Sequence, residues 1–287
     1  RTVAVIEQFA ARFASQGVQL RLIVAPGSNI SAGRNRAIAA ADAAIIASTD
    51  AGVELAPSWL AELLVPFEDA GHDRPVDVVA GFFRSAPDTV FELAMGATVL
   101  PDVAEIDPQR FLPSSRSVAY TKVAWALVGG YPEWLDYCED VVFDLALRKA
   151  GCRFVFAPKA LAHFRPRSSL PDFFRQYYRY ARGDGKAGLW PRRHLIRYTS
   201  YVCGALALLL GFWYKVAWLV GLLAGLAYLC PPYRRLLPAL GQYSALDRLR
   251  ALLLVPVIRL VGDCAKMAGY LAGLLWRWRR GLRCVGS

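Results

Sequence analysis

Between residues 198 and 230 the chain carries a single charge, Lys215, in 33 residues. One bilayer crossing takes roughly 20 residues, so this stretch predicts either one long tilted helix or a tight two-span hairpin turning near Lys215. Arg192, Arg193 and Arg197 precede it, and Arg234, Arg235, Arg248 and Arg250 follow it. A hairpin would keep all seven on one side, and clustered arginines mark the cytoplasmic side. Residues 251–276 are apolar except for Arg259, Asp263 and Lys266, whose i, i+4, i+7 spacing puts them on one helical face. That pattern fits an amphipathic helix lying in the headgroup layer with its ion pairs there, or a second membrane helix. Trp276, Trp278 and the cluster Arg277, Arg279, Arg280 and Arg283 would anchor its end.

Charge divides the chain at about residue 190. Residues 1–190 hold 20 Lys/Arg and 21 Asp/Glu, whereas residues 191–287 hold 14 and 2. Basicity confined to the apolar tail points to anionic lipid headgroups, and it argues against a nucleic-acid partner, which would want a basic soluble domain. The expected organisation is a soluble domain over residues 1–190 and a membrane region over 191–287, integral to the cell membrane with the soluble part on the cytoplasmic face. The six cysteines are scattered, with neither metal-ligand spacing nor a disulfide framework.

Within the soluble part, helical spacing runs from Val3 to Phe13, and residues 19–25 read as a buried strand broken at Pro26-Gly27. Helices are expected over 32–41 and 57–64, alternating with strands over 43–48 and 76–83. Further helices are expected at 122–128, 139–150 and 170–182, with short strands at 153–157 and 160–164. This alternation predicts an α/β fold with a mostly parallel sheet covered on both faces.

Asp50, in Ser48-Thr49-Asp50-Ala51-Gly52, follows a hydrophobic strand and so lies at the carboxyl edge where open α/β sheets bind ligands. An aspartate there can hold a divalent ion against a diphosphate, or can simply cap a turn. Cys138-Glu139-Asp140 puts two carboxylates at the start of a helix. The same charges also suit a positive helix N-terminus, and Asp144 with Arg148 reads as an i, i+4 surface pair. The run Gln176-Tyr177-Tyr178-Arg179-Tyr180 combines an Arg fork with aromatic faces near the membrane edge, a combination able to bind a diphosphate and stack on a sugar. Arg165 and Arg167, before Ser168-Ser169, are a further candidate anion site.

Taken in order, Ala32-Gly33-Arg34-Asn35-Arg36-Ala37, the strand into Asp50, Pro57-Ser58-Trp59-Leu60, Val128-Gly129-Gly130-Tyr131, Glu139-Asp140 and Gln176 to Tyr180 resemble the family 2 glycosyltransferases across about residues 1–185. The resemblance implies a GT-A fold, a nucleotide-diphosphate sugar donor and inversion at the anomeric carbon. It marks Asp140 as general base beside Glu139. Arg34, Asp50, Gln176 and Arg179 are marked for the donor, and Tyr180 for a lipid or glycan acceptor, with Tyr where the related Q-x-x-R-W element has Trp. It also implies a divalent cation, Mg2+ or Mn2+, held by Asp50 and His163, although Gly52 stands where the second aspartate of D-x-D would be. The chain begins at Arg1 with no counterpart of the family's first βαβ segment, which fits an N-terminally truncated domain. Two other classes compete with this expectation: a non-catalytic nucleotide-sugar-binding or scaffold membrane protein, and a membrane nucleotidyl- or phosphotransferase, which lacks the Gly-rich phosphate loop it would need.

Overall fold

Val78 and Val79 point to opposite faces of one strand, and both are fully buried, so the sheet they belong to is covered on both sides. The computed structural model describes residues 2–69 and 74–281; Arg1, Arg283 and Cys284 lie outside them. In chain order the elements are α1 (Thr2–Glu7), α2 (Ala10–Ser15), α3 (Ile30–Ala40), β1 (Ile45–Ser48), β2 (Val53–Leu55), α4 (Trp59–Glu68), β3 (Val78–Ser85), α5 (Val90–Val99), β4 (Val118–Thr121) and α6 (Lys122–Leu127). They continue with α7 (Glu139–Lys149), β5 (Phe154–Phe164), α8 (Leu170–Ala187), α9 (Pro191–Leu210), α10 (Lys215–Leu236) and α11 (Ala245–Arg279).

The fold is α/β, but the sheet is mixed rather than mostly parallel. Its order is β1-β4-β3-β5-β2, and only β3 and β5 pair in parallel. The antiparallel members β2 and β4 are three and four residues long, too short for a periodicity to announce them. Val78, Val118 and Tyr120 on one face pack against α3, α6 and α7 through Ile38, Ala124, Phe143 and Leu147. Val79 and Ala119 on the other face pack under α4 through Trp59 and Leu63. The two short strands expected at 153–157 and 160–164 are one strand, β5. Its pairing with β3 jumps from Gly81↔Ala157 to Phe82↔Leu161, so residues 158–160 bulge out. Gly81 makes that bulge possible, because a Cβ there would run into the Ser117 hydroxyl and the Ala160 carbonyl. Residues 19–25 form no strand: Leu20, Leu22, Ile23 and Val24 are exposed, with no ladder to join.

The apolar stretch is two helices, α9 and α10, separated by a turn at residues 211–214 and pinned there by the Trp218 indole donating to the Leu208 carbonyl at 3.0 Å. Their leucines, valines and tryptophans are largely exposed. Among the described residues, the segment Lys215–Gln242 is the one helix long and apolar enough to cross a membrane. Helix α11 buries Ala251, Val255, Ile258, Gly262, Ala265, Gly269 and Gly273, a stripe at spacings of four and three that ends on glycines. The stripe lies against α8 and α5. A Cβ on Gly269 would meet the Tyr178 carbonyl, and one on Gly273 would meet the Arg182 carbonyl and Gly185. Backbone therefore touches backbone along this seam. Asp263 on α11 is buried and pairs with Arg197 of α9 at 3.0 Å, with Lys266 at 3.9 Å. The ion pairs expected in the headgroup layer are instead an internal link between helices.

Gly273→Leu should force α8 and α11 apart and cost about 1–3 kcal/mol of stability, read as a lowered melting temperature by circular dichroism in detergent. Gly225→Leu on α10, where nothing lies within 4 Å of the added Cβ, is the control. Equal melting of the two variants would refute the close-packed seam.

Candidate functional site

Strands β1, β3 and β5 run in one direction and β4 and β2 in the other. The carboxyl ends of the first three and the start of β4 thus share one edge. Because β1 and β2 are the two outermost strands, residues 49–52 must carry the chain across the whole of that edge. Asp50 sits in this crossing, Gly52 turns it with φ of 79°, and the Thr49 hydroxyl ties it to the Arg116 carbonyl at 3.0 Å.

Above the edge, α3 starts at Asn29, whose side chain accepts from the Ala32 amide, and the helix projects Arg34 toward Asp50. One guanidinium arm of Arg34 donates to Asp50 and the other donates to Glu139 at 2.9 Å. The group lies 5.3 Å above the Tyr131 ring. Burial works against its charge, but Asp50, Tyr131 and Glu139 outweigh that and raise its pKa. One partly buried cation thereby gathers the sheet-edge carboxylate and the α7 carboxylate.

Helix α7 begins after Cys138, held in the left-handed region at φ of 63°. Burial raises the Glu139 carboxyl, helped by Asp140 and opposed by Arg34. Burial also raises Asp140, against the Val141 amide donating at 2.9 Å and the charges of Arg34 and Arg116. Asp144 does not form the expected surface pair. It is 3 % exposed with one oxygen unpartnered, and burial, with Asp140, pushes its carboxyl well up. Arg148 instead donates to the Phe111 carbonyl at 2.9 Å and covers the Phe154 ring. The inward face of α7 takes in Asp144 together with Phe143 and Leu147, which leaves no water for an exposed ion pair.

Helix α8 closes the other side. The Gln176 amide donates to the Tyr180 hydroxyl at 2.8 Å, and Arg179 donates to the Tyr137 hydroxyl at 3.2 Å while lying 5.8 Å over that ring. The Cys138 thiol donates to the Tyr180 carbonyl at 3.1 Å. Residues 137–139 thus join the Arg34, Asp50, Glu139, Asp140 group to the Gln176, Arg179, Tyr180 group. His163 lies near the carboxyl end of β5, opposite Glu54 and Arg84. The Arg165 side chain is bound to Asp88 and to buried Glu92, both at 2.9 Å, so it is not a free anion site. A cavity of about 310 Å³ behind α7 is lined by Asn35, Gly130 and Phe143 and by none of the candidate carboxylates.

Sequence reasoning passed over Arg116, which lies 4.7 Å over the Phe164 ring and whose charge reaches Asp140. Its signal was Ser114-Ser115-Arg116-Ser117 opening a strand, invisible because that strand was not expected. Toward a divalent ion, the site supplies one hard carboxylate, Asp50, already shared with Arg34; among the described residues no three His, Cys, Asp or Glu cluster. A single carboxylate completed by substrate phosphates and water is the way Mg2+ is commonly held, and the donor set fits that arrangement.

A family model for glycosyl transferase family group 2 matches residues 107–261, and one for glycosyl transferase family 2 matches residues 1–116. No curated protein matches the chain. Among solved structures the chain is similar to the mannosyltransferase PcManGT from Pyrobaculum calidifontis in complex with GDP-Man and Mn2+, at 15% identity over 94% of this chain and 74% of that one, with a TM-score of 0.49. It is also similar to S. aureus TarS 1–349, at 13% identity over 96% and 79%, and to the same protein in complex with UDP, at 15% over 96% and 79%, each with a TM-score of 0.37.

The buried Asp144 carboxyl gives a test with a definite sign. Its folded pKa is raised, so the folded state holds a proton that the unfolded chain releases, and stability falls as pH rises above the ordinary carboxylate range. Asp144→Asn escapes this loss, and its melting temperature relative to the parent should climb from pH 5 to pH 8. A gap that does not change with pH would refute a buried acid at this position.

Proposed function

The chain belongs to the family 2 glycosyltransferases, and we propose that it transfers a sugar with inversion from a nucleotide-diphosphate sugar to a lipid-linked or cell-envelope polysaccharide acceptor at a membrane. What carries this reading is Arg34 shared between Asp50 and Glu139. Inversion in one displacement needs a donor diphosphate on one side of the anomeric carbon and a carboxylate on the other. The sheet edge offers the first and the start of α7 the second.

In this reading Asp140 takes the proton of the acceptor hydroxyl as its oxygen bonds to the anomeric carbon. The bond to the diphosphate breaks with its electron pair, and the nucleoside diphosphate leaves. Burial of Asp140 suits the task, since it raises the affinity for the proton. Glu139 stays paired with Arg34 and fixes the helix start. Arg34 and Asp50 face the donor phosphates, Gln176 and Arg179 bound the donor from α8, and Tyr180 offers a stacking face to the acceptor sugar. A divalent cation, when bound, would neutralise charge on the leaving diphosphate; Asp50 would hold it, with His163 as the candidate second ligand.

The membrane part of the proposal rests on the exposed apolar surfaces of α9 and α10 and on arginines at the outer ends of both helices. Residues 1–190 form the catalytic part on the cytoplasmic face and residues 191–287 the membrane region, with α11 returning to α8.

Asp140→Asn should leave donor binding intact while transfer falls by roughly 10²–10⁴-fold. The assay is nucleotide release from UDP-, GDP- and dTDP-sugars with Mg2+ or Mn2+ restored after chelation. Near-normal turnover by the variant would remove Asp140 from the mechanism, and full activity of the parent without either ion would remove the cation. For location, high salt and carbonate should both fail to release the chain from membranes, because an inserted hairpin is not held by surface charge; release by either wash would mean that α9 and α10 do not insert.

A further inference from the structure

Among the described residues, two that are not glycine have positive φ, Cys138 at 63° and Trp190 at 54°. Each is the residue just before a helix, Cys138 before α7 and Trp190 before α9. A side-chained residue in the left-handed region is strained and persists only where its surroundings hold it. Cys138 and the first turn of α9 that follows Trp190 both reach one side chain, Asp184 of α8, for which the transfer reaction has no use. Asp184 Oδ1 accepts from the Cys138 thiol at 3.4 Å, alongside the Tyr180 carbonyl at 3.1 Å. Burial, reinforced by Asp184 and Asp140, pushes the thiol pKa well up, which keeps its proton available to donate.

The other carboxylate oxygen, Oδ2, lies 3.2 Å from His194 Nε2, in the first turn of α9. The neighbouring group determines how this imidazole is protonated. Arg197 approaches Nδ1 at 3.0 Å, and a guanidinium can only donate, so Nδ1 accepts and Nε2 carries the hydrogen given to Asp184. The ring is buried and stacks on Tyr270 with centroids 3.7 Å apart. Arg197 in turn pairs with buried Asp263 of α11 at 3.0 Å. An unbroken chain of donors and acceptors thus runs from the residue before Glu139 to the polar core between the apolar helices.

We propose that Asp184 is a positioning residue for the transfer reaction: oriented by His194, it holds Cys138 in its left-handed conformation and so aims Glu139 and Asp140 at Arg34 and Asp50. The seating of α9 is thereby sensed at the start of α7. The inference rests on Asp140 as the base, and it adds a residue that touches neither substrate nor reacting atoms.

The test pairs kinetics with amide hydrogen exchange in the detergent-solubilised full chain. Asp184→Ala should lower kcat about tenfold or more, as misplacement of a reacting group does, with the donor KM unchanged and faster exchange confined to residues 136–142. Asp184→Asn, which keeps an oxygen acceptor, should recover much of the rate. Glycine takes positive φ without strain, so in a Cys138→Gly background the further loss from Asp184→Ala should shrink to about threefold or less in a double-mutant cycle. An equal loss in both backgrounds, or a raised donor KM with kcat intact, would overturn the proposal. Unchanged exchange over residues 136–142 would overturn it whatever the activity, so its failure is separable from loss of the Asp140 assignment. If Asp184→Ala does not fold, His194→Phe, which keeps a ring on Tyr270 and removes the donor to Asp184, carries the same exchange and rate expectations.

Discussion

A guanidinium taken out of water must find negative partners, and Arg34 finds two that are 89 residues apart in sequence, Asp50 and Glu139. Only the loss of both would leave the guanidinium without a carboxylate, the situation in which breaking a buried pair costs several kcal/mol. This constraint pulls α3, the crossing at the sheet edge and the start of α7 onto one point. The mixed sheet serves it by sending the ends of β1, β3 and β5 and the start of β4 to the same side.

The second organising contact is the glycine seam between α8 and α11. Gly185, Gly269 and Gly273 let the two backbones approach until a single methyl group would collide. Through this seam the helix carrying Gln176, Arg179 and Tyr180 is braced by α11. The apolar pair α9 and α10 is attached beside it through Arg197 and Asp263. The Arg34, Asp50 and Glu139 group and the exposed apolar helices α9 and α10 are thus joined by packed backbone and a few buried polar bonds.

Much of this was readable in advance where the signal was local. Residues 43–48, 57–64, 122–128, 139–150 and 170–182 showed their periodicities and breaks, and the corresponding elements are present. The ordered motifs named the family to which the chain belongs. Illegible were β2 and β4, each too short to carry a pattern, and with them strand direction and the place of Arg116. Residues 19–25 misled because a β-branched run makes a strand only where another strand offers hydrogen bonds, and Val24 is 62% exposed. Asp144 misled in the opposite sense, since a helical spacing of charges does not say which face is inward.

Sequence alone determined the kinds of chemistry present: carboxylates at the start of a helix, an arginine fork among tyrosines, and an apolar stretch flanked by arginines. These follow from residue type and near-neighbour spacing, which covalent geometry and hydrophobicity act on directly. Only the tertiary structure decided that Arg34 joins Asp50 to Glu139, that Asp263 faces Arg197 rather than a headgroup, and that Asp184 lies between Cys138 and His194. Those pairings join residues as many as 105 positions apart. Long-range partners of this kind are chosen by how helices and strands pack, and by the need of each buried charge for an opposite one, and neither is written in any short run of residues.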